Sequence, residues 1–291
     1  MTHAQTDHSQ VIFWNIWGHR HPNALHKFMQ QHAPTTDIFC LTEVTDVALE
    51  VVGQVGSALK YGHDLLEKPQ HVDGRAQLDA KFQGEYQHLY ASSRRSDWKC
   101  EKYGRIFPAV GFGSSLMFRH DLQFIATGEN LLCEGWQNIR PRIVQWLVYE
   151  KNYIRYLVAH FHGIWIADNT KGDDPARIRQ SLEFLRLLKL IVSQQAVDKI
   201  VFGGDFNLDI KTRALVLLKD QRRSQAGPFK NLIEEFAIND TRTTEYRKYD
   251  WPEESMHADH VFIGPNVQVH SFNVLNNVRA SDHAPLVVRF T

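Results

Sequence analysis

Short runs of β-branched and aromatic residues recur along the chain, each ending at a glycine or a cluster of polar residues. They are VIFWNIW (11–17), DIFCLTEV (37–44), VGFGSSLMF (110–118), IVQWLVYE (143–150), YIRYLVAHFH (153–162), KIVFGGDF (199–206), ADHVFIG (258–264) and APLVVRF (284–290). Runs of this length and content predict strands. Between them the apolar spacing changes. From Asp174 to Gln195 an acid precedes Pro175, and Ile178, Leu182, Leu185 and Val192 return at helical spacing. That pattern predicts a helix opening at the proline, where a missing N–H costs nothing. Shorter helices are expected near 22–32, 212–221 and 229–237. The string YEKNYIRY joins two strands across Lys151 and Asn152 and reads as a tight hairpin, which makes part of the sheet antiparallel.

Strands of mixed orientation with helices among them predict a layered α/β sandwich. No internal repeat or low-complexity tract divides the 291 residues, and the expectation is one domain spanning 1–291. Two segments stand apart from the pattern. Residues 1–10 are expected to be flexible, and the polar interval 62–104 reads as an insertion or surface excursion.

At 43% hydrophobic residues the chain can bury a large core. Lysine plus arginine equals aspartate plus glutamate, 33 of each, so no global field favours a polyanion. A nucleic-acid partner would need a local basic strip. SSRRSDWK (92–99) and KDQRRSQ (219–225) are the candidates, although such runs are commonly solvated surface. Cys40, Cys100 and Cys133 are odd in number and far apart, which fits neither a disulfide framework nor a zinc site. No apolar run reaches about 18 residues, and no basic-then-apolar leader opens the chain. The sequence therefore reads as a soluble, cytoplasmic protein without membrane association, and it indicates no protein partner.

The candidate chemistry gathers at strand ends. KIVFGGDFNLD runs an apolar strand into two glycines and then into Asp205 and Asn207. Residues two apart on an extended chain face the same side, so a carboxylate and an amide project together where glycines permit close approach of a ligand. ASDHAPLVV presents Asp282 and His283 before the last strand, and HADHVFIG presents Asp259 and His260 at the head of another. FWNIWG ends a strand on Asn15; FCLTEV ends one on Glu43. A carboxylate leaving an apolar strand must be paired, hydrogen-bonded or metal-bound, and these groups at five strand ends share one destination.

Taken in order, WNIWG, LTEV, HFHG, GGDFN, ADHVFI and SDHAPL resemble the motifs of the endonuclease/exonuclease/phosphatase superfamily, the group of pancreatic deoxyribonuclease and the exonuclease III type AP endonucleases. The resemblance covers about residues 11–290. It implies a four-layer α/β/β/α sandwich with two central mixed, largely antiparallel sheets and a site at one edge. It also implies a hydrolase of phosphoester bonds, acting by in-line attack of an activated water, with Mg2+ or Mn2+ as cofactor. Carried over to this chain, Glu43 would be the principal metal ligand, with Asn15 and Asp282 close by. Asp205 would orient or deprotonate the water, and Asn207 would hold the phosphate or Asp205. His283, oriented by Asp259, would stabilise charge on the phosphoryl oxygens. An oxygen-rich donor set of this kind suits Mg2+ or Mn2+ over zinc on general grounds. A phosphodiesterase or nuclease is the leading expectation, and a small phosphoester is the alternative substrate. Trp17 stands where AP endonucleases commonly carry an acid, which speaks against abasic-site specificity. Thr42 and His260 also depart from the commoner glutamine and tyrosine.

The pair in VAHFHGIW has a second reading. On an extended strand His160 and His162 share a face, and an H-x-H pair is one way to hold zinc. In the superfamily alignment His162 becomes the phosphate-contacting histidine and His160 its neighbour. His160, Trp165, Arg177 and Arg242 complete the set of candidate substrate-binding residues, with Tyr246 beside them, since arginine and aromatic faces serve phosphates and bases. His19, His21 and His26 read as a chance cluster. A binding module that merely keeps the fold would have no need of the full acidic and histidine set.

Overall fold

In the computed structural model, β1 (Ser9–Asn15) lies between β12 (Leu286–Phe290) and β2 (Ile38–Val47), antiparallel to the first and parallel to the second. The structure describes residues 7–47, 74–100, 105–134, 142–166, 171–220, 228–244 and 256–291. With β4 (Arg105–Arg119), β3 (Tyr86–Cys100) and β11 (Val269–Val274), a six-stranded sheet forms in the order β11-β12-β1-β2-β4-β3. The second sheet holds β5 (Gln123–Leu132), β6 (Arg142–Lys151), β7 (Ile154–Phe161), β8 (Lys199–Asp205), β9 (Lys230–Asn231) and β10 (Asp259–Ile263), in the order β5-β6-β7-β8-β10-β9. Among the described pairs only β1–β2 and β7–β8 are parallel. Each is joined by a crossover that contains a helix, as a parallel connection requires: α1 (Pro22–His32) in the first and α3 (Pro175–Gln195) in the second.

Side-chain alternation separates the layers. Val11 and Phe13 of β1 point into an apolar core shared with Val158 of β7, Val201 of β8 and Val261 of β10, so the two sheets pack face to face. Ile12 and Trp14 point the other way and meet Leu25 and Met29 of α1 and Leu78 of α2 (Gly74–Phe82). Leu157, Ala159 and Phe161 of β7 lie under Phe184 and Leu188 of α3 and Leu215 of α4 (Arg213–Lys219). A short α5 (Leu232–Glu235) follows β9. Helix, sheet, sheet, helix is the four-layer sandwich the motifs implied. Each fully buried leucine or phenylalanine contributes roughly 1.5–3 kcal/mol of hydrophobic stabilisation.

The predicted strands and the long helix are present, with Asp174 capping α3 through the Ala176 N–H at 2.8 Å. Other expectations need correction. Ser9 and Gln10, taken as part of a flexible start, are buried in β1 and pair with Phe290 and Arg289; residues 1–6 lie outside the described residues. The interval 62–104 is no simple excursion over 74–100, which supplies α2 and the edge strand β3; 62–73 and 101–104 lie outside the described residues. The hairpin turn is Asn152–Tyr153, one residue further on than read, because Lys151 pairs with Ile154 and both turn residues adopt positive φ (54° and 62°). The helices expected at 212–221 and 229–237 shrink to α4 and α5. Of the basic strips, residues 221–225 and the side chains of 93–99 lie outside the described residues, as does Tyr246. No helix among the described residues is long and apolar enough to cross a membrane.

Candidate active site

Five strand ends deliver their polar residues to one edge of the sandwich. Asn15 closes β1 and is buried. Its Nδ2 donates to Glu43 Oε1 at 3.1 Å and to Asp205 Oδ2 at 3.0 Å, so one amide bridges carboxylates from the two sheets. Its Oδ1 accepts from the Trp17 N–H at 3.0 Å, and its carbonyl accepts from Ser281 Oγ at 2.7 Å. Glu43 occupies a β-bulge: Thr42 pairs with Ser114 and Val44 with Gly113, which leaves Glu43 without a partner across the ladder. Its φ of 58° is unusual for a glutamate, and a residue held in so sparsely populated a region is a marker of function.

The second sheet brings Asp205 at the end of β8, directly opposite Asp259 at the head of β10. Asp205 Oδ1 accepts from the Asn207 N–H at 2.9 Å. Asn207 sits at φ 54°, a conformation that asparagine tolerates. Two glycines make the closeness possible. A Cβ at Gly204 (φ +133°) would lie 2.4 Å from the Phe161 carbonyl oxygen, and one at Gly163 would lie 2.1 Å from that of Phe206. The ends of β7 and β8 therefore touch, with the Gly163 N–H donating to the Asp205 carbonyl at 2.6 Å. His162, next to that contact, has Nε2 3.5 Å from Asp205 Oδ2 and 3.8 Å from Glu43 Oε1.

Before β12, His283 completes the group. Its Nδ1 is 2.8 Å from Asp259 Oδ2, and its Nε2 is 3.7 Å from Asp205 Oδ2. Asp259 Oδ2 also accepts from Thr241 Oγ1 at 3.1 Å, and the His283 carbonyl accepts from Trp14 Nε1 at 2.8 Å. Arg242 Nη1 abuts His283 Nε2 and lies 3.5 Å from Asp282 Oδ2. Lys171, buried on the loop before α3, donates from Nζ to Asn207 Oδ1 at 2.5 Å.

The other sequence candidates divide. His160 is fully buried; its Nε2 meets Gln145 Oε1 at 3.1 Å across β6–β7, and its Nδ1 has no hydrogen-bond partner. It is a sheet-interior residue, not a substrate contact, and the two histidines turn to different partners instead of forming a metal clamp. Arg177 is also corrected. It is buried in α3, where Nη1 donates to the Gly172 carbonyl at 2.8 Å and Nε to the Ile164 carbonyl at 3.3 Å, bracing both ends of the loop that carries Lys171. Trp165 is 52% exposed on the same loop, three residues from His162. His260 is enclosed, with Nε2 on the Leu208 carbonyl at 2.8 Å and Nδ1 on Asn231 Nδ2 at 3.1 Å. Sequence reading missed Lys171 and Thr241. Both sit on loops with no periodicity, and only the spatial return of those loops brings them to the site.

The sequence profile of the Endonuclease/Exonuclease/phosphatase family matches residues 12–283. The chain belongs to this family. No curated protein matches it in sequence. Among solved structures, an endonuclease/exonuclease/phosphatase from Bacteroides vulgatus is 19% identical, with a TM-score of 0.64 and 98% of each chain covered. A mannosyl-6-phosphatase from Bacteroides thetaiotaomicron is 18% identical, with a TM-score of 0.62, covering 97% of this chain and 99% of its own. The human Nocturnin catalytic domain, solved with a bound sulfate anion, is 16% identical, with a TM-score of 0.62 and coverage of 98% and 95%. At these identities the likeness is one of fold.

Electrostatics distinguish the carboxylates of this endonuclease/exonuclease/phosphatase site. Burial, reinforced by Asp282, pushes the Glu43 carboxyl above its usual range. Burial also opposes ionisation of Asp205, but His283, His162, Lys171 and Arg242 together outweigh it and hold that carboxyl well below the usual range. For His283, burial and Arg242 oppose protonation, while Asp259, Asp205 and Asp282 prevail and raise its pKa. Burial lowers His162 to about 3, against the pull of Asp205, so its ring is neutral at neutral pH.

The family is metal-dependent, and a hard cation fits this edge. Among the described residues, Asp205, Asp259 and His283 form the one cluster of three groups whose ligand atoms lie within 4.8 Å of one another. Two of those three are already bound to each other through His283 Nδ1 and Asp259, which leaves that cluster few lone pairs. Glu43 accepts its hydrogen bond from the neutral Asn15 amide and 28% of its side chain is open, while Asp282 lies 3.5 Å from Arg242 Nη1. The Asn15 amide turns its nitrogen to the two carboxylates and its oxygen to the Trp17 N–H, so in this arrangement it bridges the sheets beside the expected cation position.

Proposed function

We propose that the chain is a Mg2+- or Mn2+-dependent hydrolase of phosphodiesters, nucleic acid foremost, acting by in-line attack of water. The observation that carries the reading is the position of Asp205. It stands between the Asn15–Glu43 pair on one side and the His283–Asp259 pair on the other, in reach of groups able to serve both the attacking and the phosphoryl oxygens.

Glu43 and Asp282 would hold the cation, which when bound polarises the phosphoryl group and neutralises developing charge. Asp205, kept ionised by its cationic surroundings, accepts a hydrogen bond from the attacking water and fixes its line of approach. Neutral His162 borders the same space. Asp259 holds the His283 ring through Nδ1, so that Nε2 is aimed at the phosphate. Arg242 has donors only, and it faces His283 Nε2 directly. A phosphoryl oxygen that displaced this contact would accept from both groups, which makes the juxtaposition a candidate anion site. Asn207 supplies a further neutral donor, and exposed Trp165 offers a stacking face at the rim.

A small phosphoester is the second reading. It is favoured by the balance of 33 basic and 33 acidic residues, which provides no general attraction for a polyanion. The test is a panel of single-stranded DNA, duplex DNA, RNA and small phosphoesters with Mg2+, Mn2+ or chelator, run beside Asp205→Ala. Divalent-dependent hydrolysis lost in the variant is the expected result. Turnover undiminished in Asp205→Ala would overturn the assignment.

A further inference from the structure

Lys171 is buried and its charge acts on the Asp205 carboxylate, yet its ammonium donates to Asn207 and not to a carboxylate. Burying a charge is costly unless the charge has a defined partner. Its partner is a neutral one, Asn207 Oδ1 at 2.5 Å. A lysine carries three donors and no acceptor, so only the oxygen end of the amide can face it. On the other side, Asn207 Nδ2 lies 3.4 Å from the Gly163 carbonyl, which can only accept. An amide is otherwise free to exchange its nitrogen and oxygen by rotating half a turn, since the two ends have nearly the same shape. Here two one-way partners choose the orientation.

The lysine is itself held in place. Its carbonyl accepts from the Asp209 N–H at 2.8 Å, and the next carbonyl, that of Gly172, accepts from buried Arg177. Arg177 also bonds the Ile164 carbonyl, whose own N–H is taken by Gln180 Oε1 at 2.9 Å. The first turns of α3 thus clamp both ends of the loop that delivers Lys171. Asn207 is fixed from its backbone as well, donating to Asp205 Oδ1 and to the Ala258 carbonyl. Lysine and amide are two anchored groups joined by one short hydrogen bond.

We propose that Lys171 is a positioning residue that locks the Asn207 amide in the orientation in which its NH2 is left to donate to a phosphoryl oxygen. The inference rests on the phosphoesterase reading and deepens it: the site selects a group presenting acceptors only, because the reverse orientation of Asn207 would set oxygen against oxygen.

Lys171→Met, Lys171→Arg, Asn207→Ala and the double variant Lys171→Met/Asn207→Ala test this in the full chain. The side-chain NH2 pair of Asn207 is assigned in the 1H–15N spectrum of metal-free protein by its loss in Asn207→Ala. Lys171→Met is expected to shift that pair and to lower kcat on the order of a hundredfold, with KM changed far less. Lys171→Arg, which keeps a charge with donors only, recovers most of the kcat at an unchanged melting temperature. In the Asn207→Ala background Lys171→Met costs nothing further, because the two residues act as a unit. An unmoved NH2 pair, or losses that multiply in the double variant, overturns the proposal. A wild-type chain that hydrolyses no phosphoester overturns the underlying reading instead, and the two failures are told apart because the NH2 pair is read without turnover.

Discussion

Glu43, carried by the first sheet, and Asp205, carried by the second, stand on either side of the Asn15 amide, yet their surroundings are opposite. Asp205 is enclosed, with His283, His162, Lys171 and Arg242 supplying positive charge or polarity around it. Glu43 is partly open and has Asp282 for a neighbour, so its charge is answered by like charge. Asp205 is ringed by cationic and polar groups that reach it from both sheets and the loops between them, whereas Glu43 is left with a deficit that, under the proposed function, a cation from solution fills. Under the proposed function, two carboxylates bonded to the same amide have different duties, one held ionised for work on water and the other open to a cation.

The comparison can be broken most sharply at Asp205. Asp205→Asn keeps the shape but removes the charge and one of the two acceptor oxygens that Asn207 and Asn15 use, and is expected to lower kcat by about a thousandfold at every metal concentration. A loss that added metal restores would show that Asp205 is a metal ligand after all. Glu43→Gln is expected to lower kcat at limiting metal by about a hundredfold and to recover as Mg2+ or Mn2+ is raised. In parallel, thermal stabilisation by the cation, about 2.7 kcal/mol at a hundred times Kd for the wild type, should shrink in Glu43→Gln and persist in Asp205→Asn. Equal shrinkage in both variants would erase the distinction.

The smallest effect concerns histidines of the second sheet that have no carboxylate partner. Burial lowers His160 to about 3 and His260 to about 4, from an ordinary value of 6.5. Below pH 6.5 the unfolded chain binds protons at these positions and the folded chain does not, so stability falls as pH drops from about 6.5 toward 4. His283, raised by its carboxylates, has the opposite sign: its contribution is present at low pH and is lost as pH rises through its folded value. Urea midpoints should thus decline from pH 7 to pH 5, and less steeply in His160→Gln. A flat profile would mean that water or a rearrangement satisfies the buried ring.

Much of this was readable in the sequence because the strands that matter are central ones. Doubly covered strands such as β1, β7 and β8 are apolar on both faces, and their polar ends stand out against that background. Edge strands leave no such mark. β5 is mostly exposed, with Gly128, Glu129 and Asn130 inside it, and β3 lies at the far edge of the first sheet. Neither stands out in the hydrophobic pattern. At the site, strand-end residues were found and loop residues were not: Lys171 sits in the polar run TKGDD and reads as surface until the fold closes over it. Arg177 misled in the other direction, since a guanidinium in a helix suggests solvent or substrate, whereas here it braces backbone carbonyls. The amide of Asn15 could not be oriented from sequence at all, because its choice depends on Glu43 and Asp205 from two distant segments as well as on the nearby Trp17 N–H.

The bulge at Glu43 also changes the phase of its strand. Before it, Phe39 and Leu41 face the helices while Ile38 and Cys40 face the opposite sheet; after it, Val44 faces the helices, one position out of step with that rhythm. Glu43 is in this sense an inserted beat, extra to the pairing of the sheet and, under the proposed function, present for the site. Deleting that single residue would let Thr42 and Val44 follow one another in unbroken pairing, and would yield a more regular sheet without the Glu43 carboxylate. The register of the first sheet is thus a record of what the edge is for: a small irregularity in spacing that a purely structural protein of the same architecture would have every reason to lose.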